Sequence, residues 1–241
     1  MSNLFRKSLL IITLVLIADQ ALKFWIKTHM YLGQEYHIAG NWFIIHFVEN
    51  PGMAFGLEFG GGYGKIALSL FRIGAVIAIG YYLFNIIKQK ANSILVIALS
   101  LIFAGAIGNI IDSVLYGMLF SASEFQVAQF LPKEGGYGTF LHGRVVDMFY
   151  FPLLRGYFPQ WIPIFGGDDF EFFRPVFNLA DSAISVGVSF FIIFRNRIFK
   201  KHDESENAPV ETNNIEELSK PEVETEEKKF VKPDDDQLST F

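Results

Sequence analysis

The chain contains no cysteine. That excludes a thiol nucleophile, a thiolate metal site and any disulfide staple for an exported loop. No His-Glu-x-x-His and no Gly-x-Ser-x-Gly occurs either. The histidines, His29, His37, His46, His142 and His202, all fall outside the long apolar segments. A metal site or a Ser–His pair within those segments is therefore unsupported, and no cofactor is implied. Basic residues flank the apolar segments and form no patch, so no nucleic-acid partner is read. No internal repeat is found.

What the chain has in quantity is apolar surface. Of 241 residues, 51% are hydrophobic and 16% aromatic, a composition that points to a membrane protein. Charge is unevenly placed. Residues 203–241 hold thirteen Asp or Glu against four Lys, so a formal charge of −5 for the chain becomes +4 for residues 1–202. The acidic tail lacks periodicity and reads as disordered.

Four segments approach the roughly 20 residues a bilayer requires: Ser8–Ile26, Ile66–Ile87, Ile94–Ile111 and Val176–Phe194. A cleaved signal peptide is the alternative for the first, because Arg6 and Lys7 precede it. Against that, no small-x-small site follows, and the apolar pattern runs past Asp19 to Ile26. Basic residues near segment ends set the orientation. Arg6 and Lys7, Lys88 and Lys90, and Arg195, Arg197, Lys200 and Lys201 share one side if there are four spans. Both termini are then cytoplasmic, and 27–65 and 112–175 face outward. The expected fold is an α-helical polytopic membrane protein with four transmembrane helices in residues 1–202, followed by the tail 203–241. In the outer segments, 41–48 reads as a strand bounded by Gly40 and the turn pair Asn50-Pro51. The apolar stretch 142–151 is too short for a span, because Pro152 follows, and reads as interfacial or re-entrant. Phe165 to Asp169, with its acid pair, reads as a solvated turn.

The polar residues within apolar segments are Asp19, Lys23, Arg72, Asn109, Asp112, Asn178 and Asp181. Each is a functional hypothesis by default, weighed against snorkelling or helix pairing. Helical spacing groups them. Asn178, Asp181, Ser182 and Ser185 share one face of the fourth helix, and Gly105, Gly108, Asn109 and Asp112 one face of the third. Asp19 and Lys23 are four apart on the first. Three helices thus bring polar groups to one layer near the outer surface. With thiol, metal and Ser–His chemistry unsupported, paired carboxylates remain. Two close carboxylates share a proton, so one can take a proton from water while the other donates to a carbonyl oxygen.

Five blocks in order resemble lipoprotein signal peptidase, also called signal peptidase II: "DQALK" at 19–23, "NPGMAFG" at 50–56, "GAIGNIID" at 105–112, "VVDMF" at 145–149 and "FNLADSAI" at 177–184. The resemblance implies a bacterial inner-membrane aspartic endopeptidase acting near the periplasmic face. Its substrates would be lipidated prolipoproteins among membrane lipids, cut just before a diacylglyceryl-modified cysteine, with the enzyme acting as a monomer. By motif, the catalytic pair would be Asp147 and Asp181. Asn50, Asn109 and Asn178 would position the substrate backbone, and Asp19, Lys23 and Asp112 would support the site. A small outer-leaflet β-structure would include the region of Asn50. Two departures stand out. The family usually has an arginine directly after the "GNIID" aspartate, and here it is Ser113, with Arg144 the candidate to supply that charge. The stretches from Asp112 to Asp147 and from Asp147 to Asp181 are also longer than usual. The rival readings are a proton pathway through Asp19, Asp112 and Asp181, and a structural membrane subunit whose acids pair with a partner.

Overall fold

The computed structural model describes residues 2–51, 61–152, 154–163, 166–172 and 175–198. The acidic tail and most of the glycine-rich block after Asn50 lie outside the described residues.

Helix α1 spans Asn3–His29, opened by Ser2, whose side chain accepts the Phe5 N–H. Strands β1 (Glu35–Ala39) and β2 (Phe43–Asn50) form a hairpin. Helix α2 covers Gly61–Lys88 and α3 covers Ser93–Ile111. Asn92 caps α3 by accepting the Ile94 N–H at 2.9 Å. The chain then passes through a π-helical turn, Asp112–Tyr116, into the short helix α4, Gly117–Leu119. Strand β3 (Val145–Tyr150) follows, then the hairpin β4 (Leu154–Tyr157) and β5 (Asp169–Phe172). Strand β6 (Val176–Phe177) leads into helix α5, Leu179–Ile193.

Among the described residues, three helical stretches are long and apolar enough to cross a membrane: Asn3–His29, Gly64–Lys88 and Ser93–Leu119. The fourth apolar helix, α5, has 15 residues. It is shorter than the segment Val176–Phe194 read from sequence, because Val176 and Phe177 pair as a strand with Tyr150 and Phe149. The protein is a polytopic helical membrane protein carrying a small antiparallel sheet. Leu10, Leu14, Ile17, Phe71, Ile77, Ile192 and Ile193 stay exposed along the helices, as a lipid-facing surface requires.

Helix α3 is the central post, packed by α1, α5 and α2. Two of its glycines make the approach possible. A Cβ on Gly105 would lie 2.3 Å from the Ala180 carbonyl oxygen, and one on Gly108 would lie 2.7 Å from Asp19 Oδ2. Small residues thus bring the polar face of α3 against α1 and the start of α5.

The main sheet has the order β1-β2-β3-β6, antiparallel throughout. The strand read at 41–48 is present as β2, ending on Asn50. Its partner β1 escaped the sequence reading because it is an exposed edge strand without apolar alternation. The stretch 142–151 takes the form of the buried strand β3. Its near-continuous apolar run reflects burial of both faces: β2 and β6 pair along its two edges, and α1 and the π-helical turn pack against it. There Ile26, Met30, Phe47, Phe120, Val146 and Met148 make one core. Of the stretch 165–169 read as a solvated turn, Asp168 is exposed in the loop between β4 and β5, whereas Asp169 opens β5 opposite Tyr157 and Phe165 lies outside the described residues.

Candidate active site

The start of α5 is built around Asn178. As the N-cap residue it accepts the Asp181 N–H at 2.9 Å, while Asp181 Oδ2 accepts the Asn178 N–H at 3.3 Å. This reciprocal capping box fixes the Asp181 side chain against the helix entry. A carboxylate there also meets the positive end of the helix dipole.

Asn178 does a second thing. Its Nδ2 donates to Asp147 Oδ1 at 2.7 Å and to Asn109 Oδ1 at 3.1 Å. Asn109, from α3, donates its own Nδ2 to Asp181 Oδ1 at 2.8 Å. Two amides therefore bridge Asp147 on β3 and Asp181 on α5. Asn50, at the end of β2, donates to Asp147 Oδ2 at 3.4 Å. Asp147 is buried, and burial first and the neighbouring Asp181 second push its carboxyl up to about 7. Arg72 of α2 acts electrostatically on both aspartates.

A second pair of acids lies alongside. Lys23 Nζ sits 2.9 Å from Asp19 Oδ2, 2.9 Å from Asp112 Oδ2 and 3.0 Å from Asn109 Oδ1. Lys23, Asp19 and Asp112 are all buried. Each of these carboxylates also holds a backbone amide one residue ahead of an aspartate of the first pair. Asp19 Oδ1 accepts the Ala180 N–H at 2.9 Å, and Asp112 Oδ2 accepts the Val146 N–H at 3.2 Å. The π-helical turn carries Asp112 at its first position. Such turns displace side chains from the regular helical face and recur at functional sites.

Every residue singled out from sequence for the site lies in this one network: Asp19, Lys23, Asn50, Asn109, Asp112, Asp147, Asn178 and Asp181. Two participants went unassigned. Gln20 donates to Asp19 Oδ2, Asp112 Oδ1 and the Gly108 carbonyl, and accepts from the Tyr116 hydroxyl at 3.2 Å. A polar residue between Asp19 and Lys23 was its only signal. Arg72 stood among the polar span residues but shared no helical face with the others. Arg144 does not replace the missing arginine beside Asp112. Its Nη1 pairs with Glu49 at 3.2 Å and Glu124 at 2.9 Å. Lys23 serves Asp112 instead, and Ser113 bonds back to the Asn109 carbonyl at 2.9 Å.

The fold and the network define a class: a polytopic membrane protein with an amide-bridged pair of carboxylates where its helices meet a small sheet. The family model of signal peptidase (SPase) II matches residues 11–196. The lipoprotein signal peptidase of Porphyromonas gingivalis is 53% identical over 184 residues, covering 76% of this chain and 80% of that protein. The lipoprotein signal peptidase of Amoebophilus asiaticus is 37% identical over 183 residues, covering 75% and 73%. A bacterial membrane enzyme solved by the in meso method at 1.9 Å resolution aligns with a TM-score of 0.51 and 29% identity, over 78% of this chain and 90% of that one. The chain belongs to the signal peptidase II family.

Proposed function

We propose that the chain is an intramembrane aspartic endopeptidase that removes the signal peptide from diacylglyceryl-modified prolipoproteins, cutting before the lipidated cysteine. The observation that carries the reading is the pair Asp147 and Asp181, drawn from a strand and a helix and joined through Asn178 and Asn109.

The roles follow from the surroundings. Asp181 sits at a helix N-terminus, where its carboxylate accepts an N–H from the Asn109 side chain and one from the Asn178 backbone. Asp147, buried and beside that charge, keeps its proton to about 7. Asp181 takes a proton from water as the oxygen adds to the scissile carbonyl carbon. Asp147 gives its proton to the carbonyl oxygen. Collapse of the tetrahedral intermediate breaks the C–N bond, and the proton held by Asp181 leaves on the amine nitrogen of the cysteine. Asp147 recovers its proton from the intermediate's hydroxyl, so the pair ends as it began. Asn50 and Asn109 are placed to orient the peptide backbone.

The setting is the bacterial inner membrane, with both termini cytoplasmic, the site near the periplasmic face and the enzyme acting as a monomer. A lipid-anchored substrate suits a site at the outer ends of α1 and α3, because each buried CH₂ of its acyl chains adds about 0.8 kcal/mol to binding. The test is cleavage of one precursor with and without its diacylglyceryl group. The lipidated form is expected to be cut far faster. Equal rates would remove the substrate assignment.

A further inference from the structure

One helical turn beyond Lys23, α1 carries another buried cation. Lys27 projects from the same face, four residues on, and its side chain is fully buried. Its ammonium pairs with Glu49 Oε1 and donates to Ser123 Oγ at 2.7 Å. The rings of Phe47, Phe120 and Tyr137 surround it, with centroids 5.9, 5.4 and 4.9 Å away. Glu49, 2% exposed, accepts the Ser123 hydroxyl at 3.0 Å and, through Oε2, Arg144 Nη1 at 3.2 Å. Arg144 continues to Glu124 at 2.9 Å. Two cations and two anions alternate from the buried Lys27 and Glu49 out to Arg144 and the exposed Glu124, so the cluster is balanced in charge.

This cluster and the aspartate pair are joined through three residues of β2. Val48 lies opposite Asp147 in the sheet, Glu49 opposite Val146 and Asn50 opposite Val145. Successive side chains on a strand point to opposite faces. Glu49 therefore reaches the cluster, while Asn50 reaches Asp147 at 3.4 Å. The outer segment between Asp112 and Asp147 supplies Ser123, Glu124, Tyr137 and Arg144 to the cluster. Its length beyond the usual family spacing thereby acquires a task.

We propose that Glu49 is a positioning residue: anchored by Lys27 and Arg144, it sets where the end of β2 presents Asn50 to Asp147. The proposal rests on the reading of Asp147 and Asp181 as the catalytic pair. A cluster that only stapled the outer segment to the membrane domain would affect stability alone. A positioning cluster also changes how Asp147 titrates. The charged groups acting on Asp147 are Asp181 of α5, Lys23 of α1 and Arg72 of α2, with Asn50 and Asn178 donating to it. Asn50 favours the ionised form, so loosening it moves the alkaline limb of the pH–rate profile upward.

The experiment uses the purified full chain, a diacylglyceryl-modified prolipoprotein and pH profiles with thermal unfolding alongside. Arg144→Gln, at the partly exposed margin of the cluster, is expected to lower kcat by roughly 3–10-fold with KM little changed, and to raise the alkaline limb by a few tenths of a pH unit. Arg144→Lys should restore most of the rate. Glu49→Gln should act in the same direction and more strongly. If it does not accumulate, the Arg144 variants carry the test. A lower unfolding temperature with kcat and the alkaline limb unchanged would overturn the positioning role, as would wild-type behaviour in Arg144→Gln. Asp147→Asn separates the two layers of argument. Turnover in that variant removes the catalytic pair itself. An inactive Asp147→Asn beside an unaffected Arg144→Gln removes only the role of Glu49.

Discussion

Four buried or half-buried aspartates share one layer of this molecule, and they fall into two pairs held in different ways. Asp19 and Asp112 lie on either side of Lys23, each 2.9 Å from its ammonium. Asp147 and Asp181 take their hydrogen bonds from amides of Asn50, Asn109 and Asn178. A carboxylate clamped by a buried ammonium has its charge balanced and its oxygens committed to that ion pair. The carboxylates of the second pair are bonded to neutral amides, with Arg72 acting on both electrostatically, an arrangement that suits the proposed proton transfer. The first pair holds the backbone of Ala180 and Val146. The second pair begins one residue later on each element. The contrast separates a scaffold from the groups it presents.

The contrast is broken most severely by removing the free pair. Asp147→Asn and Asp181→Asn are each expected to lower turnover by at least about 10³-fold, and the double variant by little more, because in the proposed mechanism either change alone disables attack by water. Additive losses would mean that the two act separately. Removing the clamp should act on a different axis. Lys23→Met leaves two buried carboxylates uncompensated and is expected to cost about 3–5 kcal/mol of stability, read as a lower unfolding temperature and a smaller folded fraction.

Asn178 sharpens the comparison because it serves both the helix and the pair. Asn178→Ser keeps an N-cap oxygen for α5 but loses the amide that reaches Asp147 and Asn109. Stability should change by less than about 1 kcal/mol while turnover falls roughly 100-fold. Turnover retained in Asn178→Ser would make Asn178 a cap and nothing more.

The pH dependence carries a fixed sign. Asp147 is protonated below about 7 and ionised above it. The Asp147 proton is therefore lost as pH rises through that value, and turnover should fall there without unfolding. A rate that keeps rising well past pH 8 would contradict the assignment of Asp147 as the proton donor. The smallest effect belongs to the acidic tail. Truncation after His202 should leave cleavage within about twofold, since the tail follows the cytoplasmic end of the last helix in the proposed orientation. Lost turnover at normal protein level would count against that.

Much of the site was legible because a charge in an apolar segment is conspicuous. The i, i+4 spacing of Asp19 and Lys23, and the shared faces of Asn109 with Asp112 and of Asn178 with Asp181, follow from helix geometry alone. Asp147 was different. Its strand is apolar on both faces, so periodicity could not distinguish it from an interfacial segment, and its place in the site came from resemblance. What sequence could not supply was long-range pairing. Lys27 and Glu49 carry no local signal of their partnership, since a cation near a helix end and an acid near a strand end are ordinarily solvated; the fold buries them together. Arg144 lay near Asp147 in sequence, yet its side chain turned toward Glu49. The start of α5 was misplaced for the same reason: Val176 and Phe177 are apolar enough for a span and were claimed by the sheet.

The contrast between the two pairs is tested most directly by one side-by-side measurement on Asp19→Asn, Asp112→Asn, Asp147→Asn and Asp181→Asn: cleavage of lipidated precursor per folded molecule, with thermal unfolding of each variant. The expected result is a crossing. Asp147→Asn and Asp181→Asn unfold near the parent temperature and do not turn over, whereas Asp19→Asn and Asp112→Asn unfold earlier or work more slowly but still cleave. Robust cleavage by Asp147→Asn, or the same response in all four, would contradict the division.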